Sequence, residues 1–179
     1  LAMADLRLDD QNLANGTTPF EPDFVTFDVV MPGYYPGTVR AVFSDSIGSL
    51  GGGLSWSYVS SSQLTGSSGG VTVVVLEIVN VRFVSTTGDY GDVIATVSAT
   101  LLDNYSNHYL PGDETVQLGF AQLEAYGSIG SGGGSGLVTV EISDDVPVAN
   151  ADVATAVNGF ASGNVVANDI IGADACETF

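Results

Sequence analysis

Apolar side chains return at every second position through most of the chain, in runs rich in Val, Ile, Thr, Tyr and Phe. That spacing and composition describe a pleated, half-buried surface rather than a helix. Seven runs read as strands: Phe24–Met31, Thr38–Asp45, Leu54–Val59, Val71–Val84, Val93–Leu102, Thr115–Ala125 and Leu137–Ser143. Within Val93–Leu102, one face carries Val93, Ala95, Val97, Ala99 and Leu101 and the other Thr96, Ser98 and Thr100. One side therefore predicts core and the other water. Val71–Val84 is apolar on both faces and long for a single flat strand, so it predicts a bend or cover on both sides.

Glycine and serine separate the runs at Gly48–Gly53, Thr65–Gly70 and Gly127–Gly136, where glycine supplies the positive φ of tight hairpins. All six prolines fall outside strand centres, and no long helix is predicted. About seven strands with regular turns predict an all-β fold, an immunoglobulin-like β-sandwich of antiparallel strands. After Pro147 the pattern restarts, with Asp152–Val157 read as a strand, Asn158–Gly163 as a turn and Asn164–Asp169 as a second strand. Two short strands do not make a domain. Residues 1–146 are accordingly assigned to one sandwich, 147–151 to a linker and 152–179 to the opening strands of an incomplete following module.

Charge narrows the function. Three Lys+Arg face 21 Asp+Glu, a formal net charge of -18, and the three cations are Arg7, Arg40 and Arg82. Phosphate backbones are held by clustered Lys and Arg, so nucleic acid is excluded as a partner and an anionic membrane surface is disfavoured. No run reaches the length of a membrane-spanning helix. Asp outnumbers Glu fifteen to six, and most Asp stand beside Gly, Ser, Asn or Pro. Short carboxylates in turns suit a hard, oxygen-seeking ion such as Ca²⁺; turn preference and solubility are the competing explanation.

The stretch Glu141–Val153, EISDDVPVANADV, concentrates this chemistry. Asp144 and Asp145 stand where the last strand leaves the sandwich, Pro147 stiffens the exit, and Asn150 and Asp152 open the next segment. Carboxylates that repel one another in a free linker become ligands once an ion bridges them. A second cluster, Asp9-Asp10-Gln11-Asn12, places Asp9, Asp10 and Asn12 near the other end of the module, at a rim where a preceding linker would arrive. Asp89 with Asp92, and Asp103 with Asp113 and Glu114, are weaker pairs that flank turns.

Catalysis is not expected. His108 is the only histidine, so a Ser-His-Asp triad would have to run through it, and its turn-like context favours a structural or exposed residue; with Cys176 also the only cysteine, no two-histidine zinc site, thiolate zinc site or internal disulfide can be assembled. The glycine loops lack the lysine of a phosphate-binding loop. Exposed aromatics for stacking a sugar would come from Trp56, Tyr58, Tyr34, Tyr35, Tyr105 and Tyr109. Trp56 and Tyr58 share a strand face, which favours core packing, whereas Tyr34-Tyr35 before Pro36 has the character of an exposed patch.

The segment Ile142–Ala175 resembles the junctions between tandem repeats in giant type I-secreted adhesins of Gram-negative bacteria, the RTX adhesin class with cadherin-like or VCBS-type repeats. Leu6–Thr17, Gly70–Asn80 and Tyr105–Phe120 look like further stations of the same repeat. The resemblance implies an immunoglobulin/cadherin-like extender domain outside the cell, at the bacterial surface. Its partners would be neighbouring repeats or adjacent subunits, and Ca²⁺ at each junction would stiffen the train so that a distal domain adheres. The family's Asp-rich turn before the last strand is replaced here by Tyr126–Gly136, which has no carboxylate. Two other readings stand beside this one: a filament subunit assembled by strand addition through Asp152–Asp169, and a carbohydrate-binding β-sandwich that takes a glycan or other surface ligand.

Overall fold

The computed structural model describes residues 2–10, 23–34, 36–44, 47–88, 90–103, 105, 115–127, 134–144, 150–164 and 168–169, with the backbone alone for 2–10, 23 and 144. Among these residues nine strands follow in order: β1 (Ala2–Asp10), β2 (Asp23–Tyr34), β3 (Val39–Ser44), β4 (Ser55–Ser60), β5 (Gln63–Ser68), β6 (Val71–Thr87), β7 (Tyr90–Leu101), β8 (Thr115–Gly127) and β9 (Ser135–Asp144). The helical structure among the described residues is one 3-10 turn, Ile47–Ser49, and no helix is long and apolar enough to cross a membrane.

The strands form an all-β sandwich of two sheets, β1-β9-β8-β3 and β2-β7-β6-β5-β4. Every pairing between them is antiparallel except β1 with β9, which run parallel from Ala2↔Gly136 to Asp10↔Asp144. The core lies between the sheets. Val93, Ala95, Val97, Ala99 and Leu101 of β7 are all fully buried and face Ala121 and Leu123 of β8 and Val138, Val140 and Ile142 of β9 across the interior. The alternation in β7 thus predicts its core face correctly. The opposite face is drier than expected at Ser98, which is buried and donates its hydroxyl to the Glu77 carbonyl at 3.4 Å.

Bulges account for the places where simple alternation fails. β6 is 17 residues long and shifts register between Ile78 and Asn80 and again near its end. Val79 is the extra residue at the first shift and stands 49% exposed. The run that looks apolar on both faces is therefore a bent strand with one bulged valine, because a bulge releases one residue from the pleat. In β2 a shift between Pro32 and Tyr34, with Gly33 at φ 95°, turns Tyr34 into the core, where it is 1% exposed. Tyr34 is not a surface patch. Tyr35 lies outside the described residues.

Beyond the sandwich, Ala151–Ala156 carry no strand, contrary to the expectation for Asp152–Val157. An extended segment needs a neighbour to satisfy its ladder, and among the described residues the pairing here is a single bridge, Val157↔Phe160. Asn158 at φ 54° and Gly159 at φ 84° form the two-residue turn, closed by Val157 N–H to the Phe160 carbonyl at 2.8 Å and the reverse bond at 3.2 Å. The Asn-Gly turn in the predicted place is present.

Candidate metal centre

Two features fix which strand ends lie together. Tyr34, at the end of β2, reaches Gly134, just before β9: its hydroxyl donates to the Gly134 carbonyl at 2.9 Å and accepts from Gly134 N–H at 2.6 Å. The start of β2 and the end of β9 therefore share the opposite pole. Asp23 begins β2 opposite Leu101, the end of β7, and Thr115 begins β8 opposite Ser143.

The parallel β1 ends at the same pole. Asp9 stands in register with Ser143 and Asp10 with Asp144. Sequence spacing puts Asp9 and Asp10 at the other end of the module from Asp144; the register instead sets Asp9 beside Ser143 and Asp10 beside Asp144. The sequence predicts antiparallel strands throughout, and an antiparallel β1 would send Asp10 to the far end. Adjacent strands lie about 4.8 Å apart, so backbone pairing alone brings two carboxylate-bearing positions side by side. Asp23 and Asp103 add further acid to the ends of β2 and β7, and Asp113 and Glu114 directly precede Thr115 in the chain. Asn12 and Asp145 lie outside the described residues.

Asn150 is held by the segment around Asp169. Asn150 donates its backbone N–H to Asp169 Oδ1 at 2.7 Å and its side-chain amide to the Asn168 carbonyl at 2.6 Å, while the Asn168 amide donates to the Ala151 carbonyl at 3.3 Å. Asp152 is exposed beside this clip. Sequence pattern alone does not single out Asp169 and Asn168 as partners of Asn150. The available signal was the repeated Val-Ala-Asn of Val148–Asn150 and Val166–Asn168.

Among the described residues no three His, Cys, Asp or Glu side chains gather as a metal site; the side chains of Asp9, Asp10 and Asp144 are not among those described. Aspartate at these positions offers oxygen donors alone, the chemistry that suits a hard cation of flexible coordination.

The aromatic candidates separate. Tyr105 is buried, with its hydroxyl donated to the Gly52 carbonyl. Trp56 packs against the core and donates Nε1 to the Gly51 carbonyl at 2.9 Å. Tyr58 shares its face yet is 42% exposed, because β4 is a sheet edge. Tyr109 lies outside the described residues.

Tyr34 has a titration consequence. Burial pushes its phenol above the ordinary value, Gly134 N–H opposes this, and the Glu124 charge adds to the rise. The folded state prefers the neutral phenol, so the stabilisation is complete below the unfolded value near 10 and is lost as pH rises through the higher folded value. Tyr34→Phe removes a hydroxyl that both donates and accepts inside the sandwich, and lowers stability by about 1–3 kcal/mol in chemical denaturation. The same variant abolishes one late-titrating tyrosine in an absorbance pH titration. No protein-family model, no curated protein and no solved structure matches the chain.

Proposed function

We propose that this chain is a non-catalytic extender repeat of a secreted bacterial surface adhesin of the RTX class, stiffened by Ca²⁺ at its acidic pole. The observation that carries the reading is the parallel register of Asp10 with Asp144, which sets acidic positions of the first and last strands side by side at the end of β9. Like charges on neighbouring strand positions destabilise a sheet unless something bridges them. An ion bound by Asp9, Asp10, Asp144 and Asp145 removes that repulsion and ties the first strand to the last. The next segment then departs from a fixed pole, so successive repeats hold their angle and a distal domain stands clear of the cell.

Calcium titration calorimetry tests this. The wild-type chain is expected to bind Ca²⁺ in preference to Mg²⁺, which demands tighter octahedral geometry and gives up its water reluctantly. Asp10→Asn/Asp144→Asn is expected to abolish the strongest site. Equal heats for both proteins refute the assignment.

The arm beyond the sandwich favours a second reading, a filament subunit joined by strand addition. Val153 is 96% exposed, Val157 68% and Phe160 83%. Light scattering at rising concentration distinguishes the two: multimers that vanish on truncation after Pro147 support the filament, and a monomer at every concentration removes it.

A further inference from the structure

The outer face of the five-stranded sheet holds a closed side-chain network unrelated to the acidic pole. Thr96 on β7 donates its hydroxyl to Asp28 Oδ1 at 2.6 Å. Arg82 on β6 donates Nη2 to Asp28 Oδ2 at 2.6 Å and Nη1 to Thr96 Oγ1 at 3.3 Å. The three residues come from adjacent strands, β2, β7 and β6. Arg82 and Asp28 remain 41% and 44% exposed, and at such exposure an ion pair contributes about 0–1 kcal/mol. Stability alone gives little reason to hold one of only three arginines there.

A shallow groove of about 420 Å³ adjoins the network, lined by Thr26, Phe27, Asp28 and Thr96. Phe24 alternates with Thr26 and Asp28 on the same face of β2 and is 59% exposed. We propose that this groove binds a neutral saccharide, with Asp28 and Arg82 gripping adjacent hydroxyls of one pyranose and Phe24 flanking its apolar C–H face.

Each partner has capacity left for a ligand. A carboxylate offers about four acceptor sites and a guanidinium five N–H donors, and the bonds of the network use two on each. An acceptor and a donor held side by side match vicinal hydroxyls, each of which gives one hydrogen bond and takes another. The Arg82 bond first, and the Thr96 bond next, hold the Asp28 carboxyl below its usual range, so it stays an ionised acceptor. Because all three residues sit on paired strands, the geometry exists before the ligand arrives. A net charge of -18 disfavours anionic sugars, which commits the site to neutral ones. The groove is independent of the calcium reading and is expected to act with or without the ion.

Backbone-amide NMR titration of the full chain tests it, in calcium and again in EDTA. The probes are the methyl glycosides of glucose, galactose and mannose, short β-glucan and mannan oligosaccharides, and glucuronate and sialic acid as anionic controls. At least one neutral probe is expected to give saturable shifts at Thr26, Phe27, Asp28 and Thr96. Arg82→Lys, which keeps the charge and loses the fork, and Phe24→Ala, at an exposed position, are each expected to weaken binding at least about tenfold, or about 1.4 kcal/mol, with the core amides unmoved. No saturable shift with any neutral probe, a preference for the anionic sugars, or equal affinity in the Arg82→Lys variant overturns the proposal.

Discussion

Calcium added to the EDTA-treated chain is expected to raise its melting temperature by about 5–10 °C. Ligand at a hundredfold excess over its dissociation constant stabilises the folded state by about 2.7 kcal/mol, and each kcal/mol moves the midpoint of a chain of this size by about 2–4 °C. Magnesium at the same concentration is expected to give a smaller rise. The Asp10→Asn/Asp144→Asn variant is expected to cross the wild type: more stable in EDTA, because two neighbouring negative positions are neutralised, and less stable in calcium, because the ligands are gone. Differential scanning calorimetry under the two conditions checks both signs. A variant that is weaker in both refutes the bridging role, since a merely structural defect has no reason to reverse.

Gly119→Ala is expected to lower stability by about 3 kcal/mol or more. Gly119 sits at φ 104° on the β8 bulge, a conformation that a residue with a Cβ adopts at a cost of about 1–3 kcal/mol. An added Cβ would also come within 2.1 Å of the Ser49 carbonyl oxygen. That carbonyl belongs to the segment that bridges Leu50 to Gly119 and donates Gly51 N–H to the Leu118 carbonyl at 2.7 Å. Displacing it loosens Leu50 and Leu54, both buried, and the Gly51 carbonyl that accepts the Trp56 indole. Urea denaturation read by Trp56 fluorescence measures the loss. Gly69→Ala is the control, because its Cβ would meet nothing within 4 Å and only the φ of 56° is strained.

The alternation of Val93–Leu102 places β7 and its core face directly, because a central strand packed on one side leaves a period of two in its sequence. β5 escapes this logic. Thr65–Gly70 reads as glycine and serine punctuation, yet β5 runs on to Ser68, Gly66 is paired opposite Trp56, and a Cβ on it would come within 3.0 Å of the indole. The glycine is there to admit a ring, and composition alone cannot separate that use from a turn. Tyr34 misleads for a related reason, since one left-handed glycine before it reverses which face it joins. The acid of the pole is visible in the sequence residue by residue, but its assembly is not. Whether a first strand pairs parallel or antiparallel with the last depends on how the chain crosses between sheets, and no local pattern records that.

β1 and β9 lie side by side over nine residues and run the same way, one beginning at the pole opposite to that where the other ends. When the two ends of this sandwich are drawn apart, these strands slide past each other lengthwise instead of peeling open. Evenly spaced parallel bonds then share the tension and must give way together, so the terminal pair resists stretching as a seam in shear while a peeled hairpin would yield bond by bond.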